Sequence, residues 1–136
     1  MDQRISFITL AVPDVAAERA FYVDGLGWEE SFHDGDVLML MAGPRLVLSL
    51  WQQESFAAEV GPVRQGPGVP PVTLAHNVAT REEVHEVLAA AAAAGAQVGE
   101  PEERGWGGFT GYFADPAGFR WEVAWNPGPI GQVVLP

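Results

Sequence analysis

FTGYFADPAGFRWEVAW, residues 109–125, contains two runs of β-forming residues around a short break. Phe109 to Ala114 and Phe119 to Trp125 are rich in aromatic and branched side chains, which suit a pleated, half-buried surface. Asp115-Pro-Ala-Gly118 between them has the proline and glycine of a tight turn. The stretch predicts a β-hairpin. Upstream, Ala96 to Glu100 is a further strand candidate, preceded by a helix. Thr80-Arg-Glu-Glu83 has the capping-box pattern at that helix's start. Val84, Val87, Leu88, Ala91 and Ala92 form its apolar stripe, and Gly95 ends it. Val72 to Val78 comes before as a strand. The order is β-α-β-β-β.

The first half repeats that order. Arg4 to Val12 alternates as a strand, Pro13 blocks it, and Asp14 caps the helix VAAERAFYVDG. Ala17, Ala20 and Phe21 give the helix its stripe, with Gly25 as its left-handed stop. Trp28 to His33, Val37 to Met41 and Arg45 to Trp51 follow as strands. Asp34-Gly35 is a two-residue hairpin signal, and Ala42-Gly43-Pro44 joins the second pair. The spacing of the caps Asp14 and Thr80 recurs, slightly lengthened, between Gly25 and Gly95 and between Gly43 and Gly118. Duplication followed by small insertions produces that drift. The segment between the halves carries a short amphipathic piece at Ser55 to Val60, then GPVRQGPGVPP, too rich in proline and glycine for regular structure. The tail NPGPIGQVVLP is expected to be non-helical for the same reason.

Composition narrows the class. With 136 residues, 48% hydrophobic and 18% charged, the chain is globular and of single-domain size. The net charge of −11 argues against a nucleic-acid partner. The lack of cysteine excludes disulfides, thiolate metal sites and cysteine nucleophiles. No apolar run approaches the roughly 20 residues that cross a bilayer, and MDQRISF lacks the apolar region of a signal peptide. A cytoplasmic location without membrane contact is expected.

FITLAVPD at 7–14, AFY at 20–22 with Gly25-Leu-Gly27, and GYFADPAGFRWE at 111–122 resemble the vicinal oxygen chelate superfamily. This group includes glyoxalases, bleomycin- and fosfomycin-resistance proteins and extradiol dioxygenases. The resemblance covers residues 4 to 127. It implies an α+β fold in which two βαβββ modules form one curved eight-stranded mixed sheet around a cleft, with helices outside. The modules would span 4–52 and 71–127, with connector 53–70 and tail 128–136, in a single glyoxalase-like domain. It also implies a homodimer, to which the apolar run Val133-Val-Leu135 adds a surface better packed than solvated.

Metal-dependent members of the superfamily draw His, Glu or Gln ligands from the first and last strands of each module. The matching positions are Phe7 and Thr73, seven residues before each cap, and Val47 and Glu122, four residues after Gly43 and Gly118. Only Glu122 binds a divalent cation well, whereas a catalytic metal needs about three protein ligands. No cofactor is therefore expected, with a divalent metal as the alternative. His76 should turn to the helix side and His85 to solvent. His33, beside the Asp34-Gly35 turn, is the one histidine placed to join Glu122 at the cleft rim in a nonstandard site.

Period-two alternation then assigns the cleft wall. In the first module it comprises Phe7, Thr9, Val37, Met39, Val47, Ser49 and Trp51. In the second it comprises Thr73, Ala75, Asn77, Thr110, Tyr112, Glu122 and Ala124. An apolar wall with a few placed polar groups is the usual form of a small-molecule site. The ligand-binding candidates are Phe7, Thr9, Met39, Val47, Ser49, Trp51, Thr73, Trp106, Tyr112 and Glu122. Tyr112 matches a cleft tyrosine of the fosfomycin-resistance members. Glu122 is also the catalytic candidate, because a carboxyl buried without a cation has a raised pKa and suits acid–base work. Trp106, in the glycine-rich loop 104–108, can stack on a ligand. Arg45 and Arg120 flank the strands and can meet an anion, although surface ion pairing is the simpler role. Trp28, Trp121 and Trp125 are expected in the core. Three functions compete: a metal-free small-molecule binder, an enzyme using Glu122 or an unusual metal site, and an assembly module with a vestigial cleft.

Overall fold

The computed structural model describes every residue except Gln65, so that one residue of the connector lies outside the described residues. The chain divides into two compact units, Met1–Pro67 and Gly68–Pro136.

In the first unit, β1 (Phe7–Val12) leads to α1 (Val15–Arg19), and β2 (Glu30–His33), β3 (Val37–Gly43) and β4 (Leu46–Gln52) follow. Sheet order is β1-β4-β3-β2, with β1 and β4 parallel and the other pairs antiparallel. Leu10, Val12, Leu38, Leu40, Leu48 and Leu50 share one face and are buried, together with Val15, Phe21 and Tyr22 from the helical segment. Asp14 caps α1 by accepting from the Ala16 and Ala17 amides. The strand begins at Phe7 instead of Arg4. Beyond Arg19 the helix widens into a π-helical turn, Ala20–Gly25. The wider turn shifts the buried stripe to Val15, Glu18, Phe21 and Tyr22, and leaves Ala20 exposed. It also moves the left-handed residue: Gly27, at φ 74°, takes the role expected of Gly25. The Asp34-Gly35 hairpin forms with a longer loop than two residues, since His33 pairs with Leu38. After β4, a short helix α2 (Gln53–Glu59) fills the place of the amphipathic piece.

The second unit repeats the plan with β5 (Thr73–Val78), α3 (Arg81–Ala93), β8 (Phe109–Ala114) and β9 (Arg120–Trp125). Its third strand position is shared by two short pieces, β6 (Gln97–Val98) and β7 (Glu102–Glu103), both paired with β8. The expected strand Ala96 to Glu100 is cut short because Gly99 and Pro101 interrupt it. Here β5 and β9 are parallel, and β8 and β9 antiparallel. The capping box is complete, with Thr80 and Glu83 each closing the other's backbone. Val84, Leu88 and Ala91 pack down with Phe113, Trp121 and Val123. Leu88 sits so close to β8 that a Cβ on Gly111 would stand 2.4 Å from its Cδ1.

The final hairpin closes as its sequence predicts. Asp115 Oδ1 accepts from the Phe119 amide at 2.8 Å, and Gly118 adopts φ 89°. The tail departs from expectation by forming a short helix, α4 (Pro129–Val133). Pro129 occupies the first turn, where a missing N–H costs nothing. Gly131 lies against Asn126, leaving no room for a side chain. The α+β fold built of βαβββ repeats is thus present, with hydrogen bonding confined to one four-stranded and one five-stranded sheet.

Candidate functional site

Each sheet has a face turned away from its helix. In the first unit, alternation from the buried leucines puts Phe7, Thr9, Val37, Met39, Val47, Ser49 and Trp51 on that open face. The register agrees: Phe7 pairs with Val47, Thr9 with Ser49, Met39 with Ser49 and Val37 with Trp51. Phe7 and Met41 are about half exposed, whereas Ser49 is buried. Phe32 pairs with Met39 and adds another exposed ring. Trp51 packs edge-on against Phe56 of α2, with ring centroids 5.8 Å apart. This face is almost wholly apolar.

The open face of the second unit carries the charges. Tyr112 and Glu122 are direct cross-strand partners, and the tyrosine hydroxyl donates to Glu122 Oε1 at 2.9 Å. Arg104, which no periodic pattern in the sequence singles out, lies over the tyrosine ring. Its guanidinium carbon is 5.6 Å from the Tyr112 ring centroid. Its Nε donates to the hydroxyl of fully buried Thr110 at 2.5 Å, and Nη1 pairs with Glu102 at 2.5 Å. The short loop after β7 makes this possible, because Arg104 N–H donates to the Gly108 carbonyl and Gly107 N–H to that of Arg104. The available signal for Arg104 was its place beside the glycine-rich turn. Nothing in the sequence fixed its pairing with β8.

Glu122 is half-buried, not enclosed. The Tyr112 phenol has its pKa raised above the ordinary 10.0. Burial is the main cause, followed by the hydrogen bond to Glu122 and that group's charge, while Arg104 and Thr110 oppose it. The phenol therefore stays protonated and serves as a donor.

Register corrects one positional reading. Phe7 pairs with Val47, but its counterpart Thr73 pairs with Arg120. The repeat equivalent of Glu122 is consequently Ser49, not Val47. Counting from the turn glycines fails because Gly43 ends β3 ahead of its turn, whereas Gly118 follows its turn just before β9. The inherited ligand positions thus hold Phe7, Ser49, Thr73 and Glu122, with a single carboxylate among them. Among the described residues, no group of three or more His, Cys, Asp or Glu side chains is arranged to hold a metal ion. These residues do not fit a chelated catalytic metal.

The histidines do not rebuild such a site. His33 pairs with Leu38 on the helix-side face, and its Nδ1 lies 3.9 Å from Glu30, which also binds Arg19 at 2.7 Å. Alternation turns it away from Phe7 and Met39, contrary to the cleft-rim expectation. His76 pairs with Val123, on the face opposite Glu122. His85 is exposed on α3, beside Phe109. Trp106 is 55% exposed and folds its ring over Gly108, where a Cβ would collide with it. Trp121 stacks on Phe113 in the core, Trp28 packs on Tyr22, and Trp125 lies under Arg81. Arg45 is exposed, while Arg120 is half-buried at the start of β9.

Residues 4–123 match the model of the Glyoxalase/Bleomycin resistance protein/Dioxygenase superfamily. A glyoxalase-related enzyme from Fulvimarina pelagi is 32% identical with a TM-score of 0.83, covering 92% of this chain and 89% of its own. A lactoylglutathione lyase from Agrobacterium tumefaciens is 25% identical with a TM-score of 0.69, covering 92% and 95%. A glyoxalase/bleomycin resistance protein/dioxygenase from Nocardioides, 23% identical over 94% and 87%, shares the fold with a TM-score of 0.79. No functionally curated protein matches the chain. Fold, repeat and terminal hairpin define a paired βαβββ protein of the vicinal oxygen chelate type. The chain belongs to the glyoxalase/bleomycin resistance protein/dioxygenase superfamily.

Proposed function

We propose that the protein binds a small organic molecule without a metal, using the Tyr112–Glu122 pair on the open face of the second unit as its polar anchor. The carrying observation is the 2.9 Å hydrogen bond between those two side chains on the open face of the second unit. An uncharged phenol donor beside a carboxylate acceptor orients a ligand by directed hydrogen bonds. The open face of the first unit, with Phe7, Thr9, Met39, Val47, Ser49 and Trp51, is by itself an apolar surface suited to hydrophobic contact. Thr73 and Trp106 complete the candidate set. Native mass spectrometry of the purified protein tests this reading. A retained small molecule, lost in Tyr112→Phe and Glu122→Gln, supports it. Equal retention by both variants contradicts it.

The lactoylglutathione lyase likeness favours a second reading, in which Glu122 serves as acid or base for a lyase, isomerase or dioxygenase-type reaction. A turnover that disappears in Glu122→Gln while binding persists would select it. We also infer a homodimer, because Ile130, Val133 and Val134 stand 55–78% exposed around α4. A monomer mass by light scattering at micromolar concentration removes that inference. Among the described residues, no helix is long and apolar enough to cross a membrane.

A further inference from the structure

All seven basic residues of this chain are arginines, set against eighteen acidic ones. Four of the seven pair with a carboxylate. Arg4 pairs with Asp2, Arg19 with Glu30 and Asp24, Arg81 with Glu103, and Arg104 with Glu102. Arg45 and Arg64 are exposed and solvated. Arg120 differs from all of these. It is half-buried, yet among the described residues no carboxylate lies within ion-pair distance of it.

Its cross-strand neighbours explain the absence. Arg120 pairs with Thr73 on β5 and with Ala114 on β8, and neither can offer a counter-charge. Glu122 lies two residues along the same face, roughly 7 Å away in Cα terms. Its Oε1 is already engaged by Tyr112. Partly desolvating a guanidinium without a partner is costly, and a planar donor fork is best satisfied by a carboxylate.

We propose that Arg120 is an anion subsite and that the ligand is a small carboxylic acid bearing a hydrogen-bond donor, hydroxyl or ammonium, on the carbon next to the carboxylate. This rests on the binding reading above and names the ligand class for the same face. The carboxylate lies on Arg120, and the neighbouring donor reaches Glu122. Tyr112 donates its hydroxyl proton to Glu122, so the carboxylate oxygen left over accepts from the ligand. An acid without that donor would bring a bare chain against Glu122 and leave its acceptor capacity unused. Arg104 closes the far side by lying on the Tyr112 ring, an apolar and cationic wall for the ligand's body.

Calorimetric titration of the full chain with L-phenyllactate, L-phenylalanine and 3-phenylpropionate tests the proposal. The three share a carboxylate and ring but carry hydroxyl, ammonium or nothing beside the carboxylate. Saturable binding of phenyllactate or phenylalanine is expected, with 3-phenylpropionate at least ten-fold weaker. Arg120→Met should weaken the preferred acid about ten-fold or more, as loss of a charge-assisted pair does. Glu122→Gln should narrow the gap between the acids with and without the donor. Circular dichroism confirms that each variant is folded. The proposal is overturned if no acid binds, or if Arg120→Met binds as wild type does. A neutral molecule retained equally by wild type and Arg120→Met in native mass spectrometry would also overturn it, while leaving the small-molecule function standing. Loss of that retention only in Tyr112→Phe and Glu122→Gln separates the two cases.

Discussion

The two open sheet faces share one topology and differ in chemistry. In the first unit, parallel β1 and β4 present Phe7, Val47 and Trp51. In the second, parallel β5 and β9 present Thr73, Arg120 and Glu122. Position for position, Phe7 answers to Thr73, Val47 to Arg120 and Ser49 to Glu122. The duplicated backbone fixes where a side chain points, while the residue at each position decides whether the face attracts water, charge or hydrocarbon. The helix-side faces have diverged less, since Leu10, Leu38 and Leu50 in one and Val78, Trp121 and Val123 in the other are buried and apolar.

That contrast between faces is open to direct attack. Leu50→Ala, on the helix side and fully buried, should cost about 2–5 kcal/mol by urea unfolding. Phe7→Ala, on the open side of the neighbouring strand, should cost less than about 1 kcal/mol. Equal losses would mean that the first open face is as tightly packed as the core. Gly111→Ala places a methyl 2.4 Å from Leu88 Cδ1 and should destabilise by about 1–3 kcal/mol. Adding it to Leu88→Ala should cost much less, because the obstructing methyl is gone. Additive losses in the double variant would refute close helix–sheet packing as the cause.

Smaller effects sharpen the comparison of the two helix starts. Thr80→Ala removes one side of the capping box and should cost about 1 kcal/mol, with Asp14→Ala similar in the first unit. Smallest is the effect of pH on the Tyr112–Glu122 pair. Because Tyr112's pKa is raised on folding, the folded protein holds that proton more tightly. The resulting stabilisation is fully present below pH 10.0 and is lost as pH rises through the higher folded value. Ultraviolet titration should show one phenol ionising later in wild type than in Glu122→Gln, and no such transition in Tyr112→Phe. An unchanged curve in Glu122→Gln would mean that burial alone raises the pKa.

The repeat was legible because its signals are local: two caps, the stop Gly95 and the turn Asp115–Gly118 each constrain their own neighbourhood. Alternation then placed Tyr112 and Glu122 on one face, and register made them partners. What escaped depended on non-local geometry. The π-helical turn at Ala20–Gly25 inserts no special residue type, so the left-handed position slid unseen from Gly25 to Gly27. The tail helix is hidden in the sequence because proline signals a break, whereas its first-turn position here makes it harmless. Arg104 belongs to no periodic element, and only the pairing of β7 with β8 delivers it to Tyr112. His33 lay one alternation step from the expected face, a difference set by the irregular pairing between Glu30 and Phe32.

The central claim is that the second unit's open face binds its ligand with Tyr112 and Glu122 and no chelated metal. Elemental analysis tests it most directly, on protein purified without chelator and again after incubation with nickel, manganese, iron and zinc. The account predicts far less than one equivalent of any of them, unchanged by Glu122→Ala. Near one equivalent of a single metal, abolished by Glu122→Ala, would contradict it and make Glu122 a metal ligand.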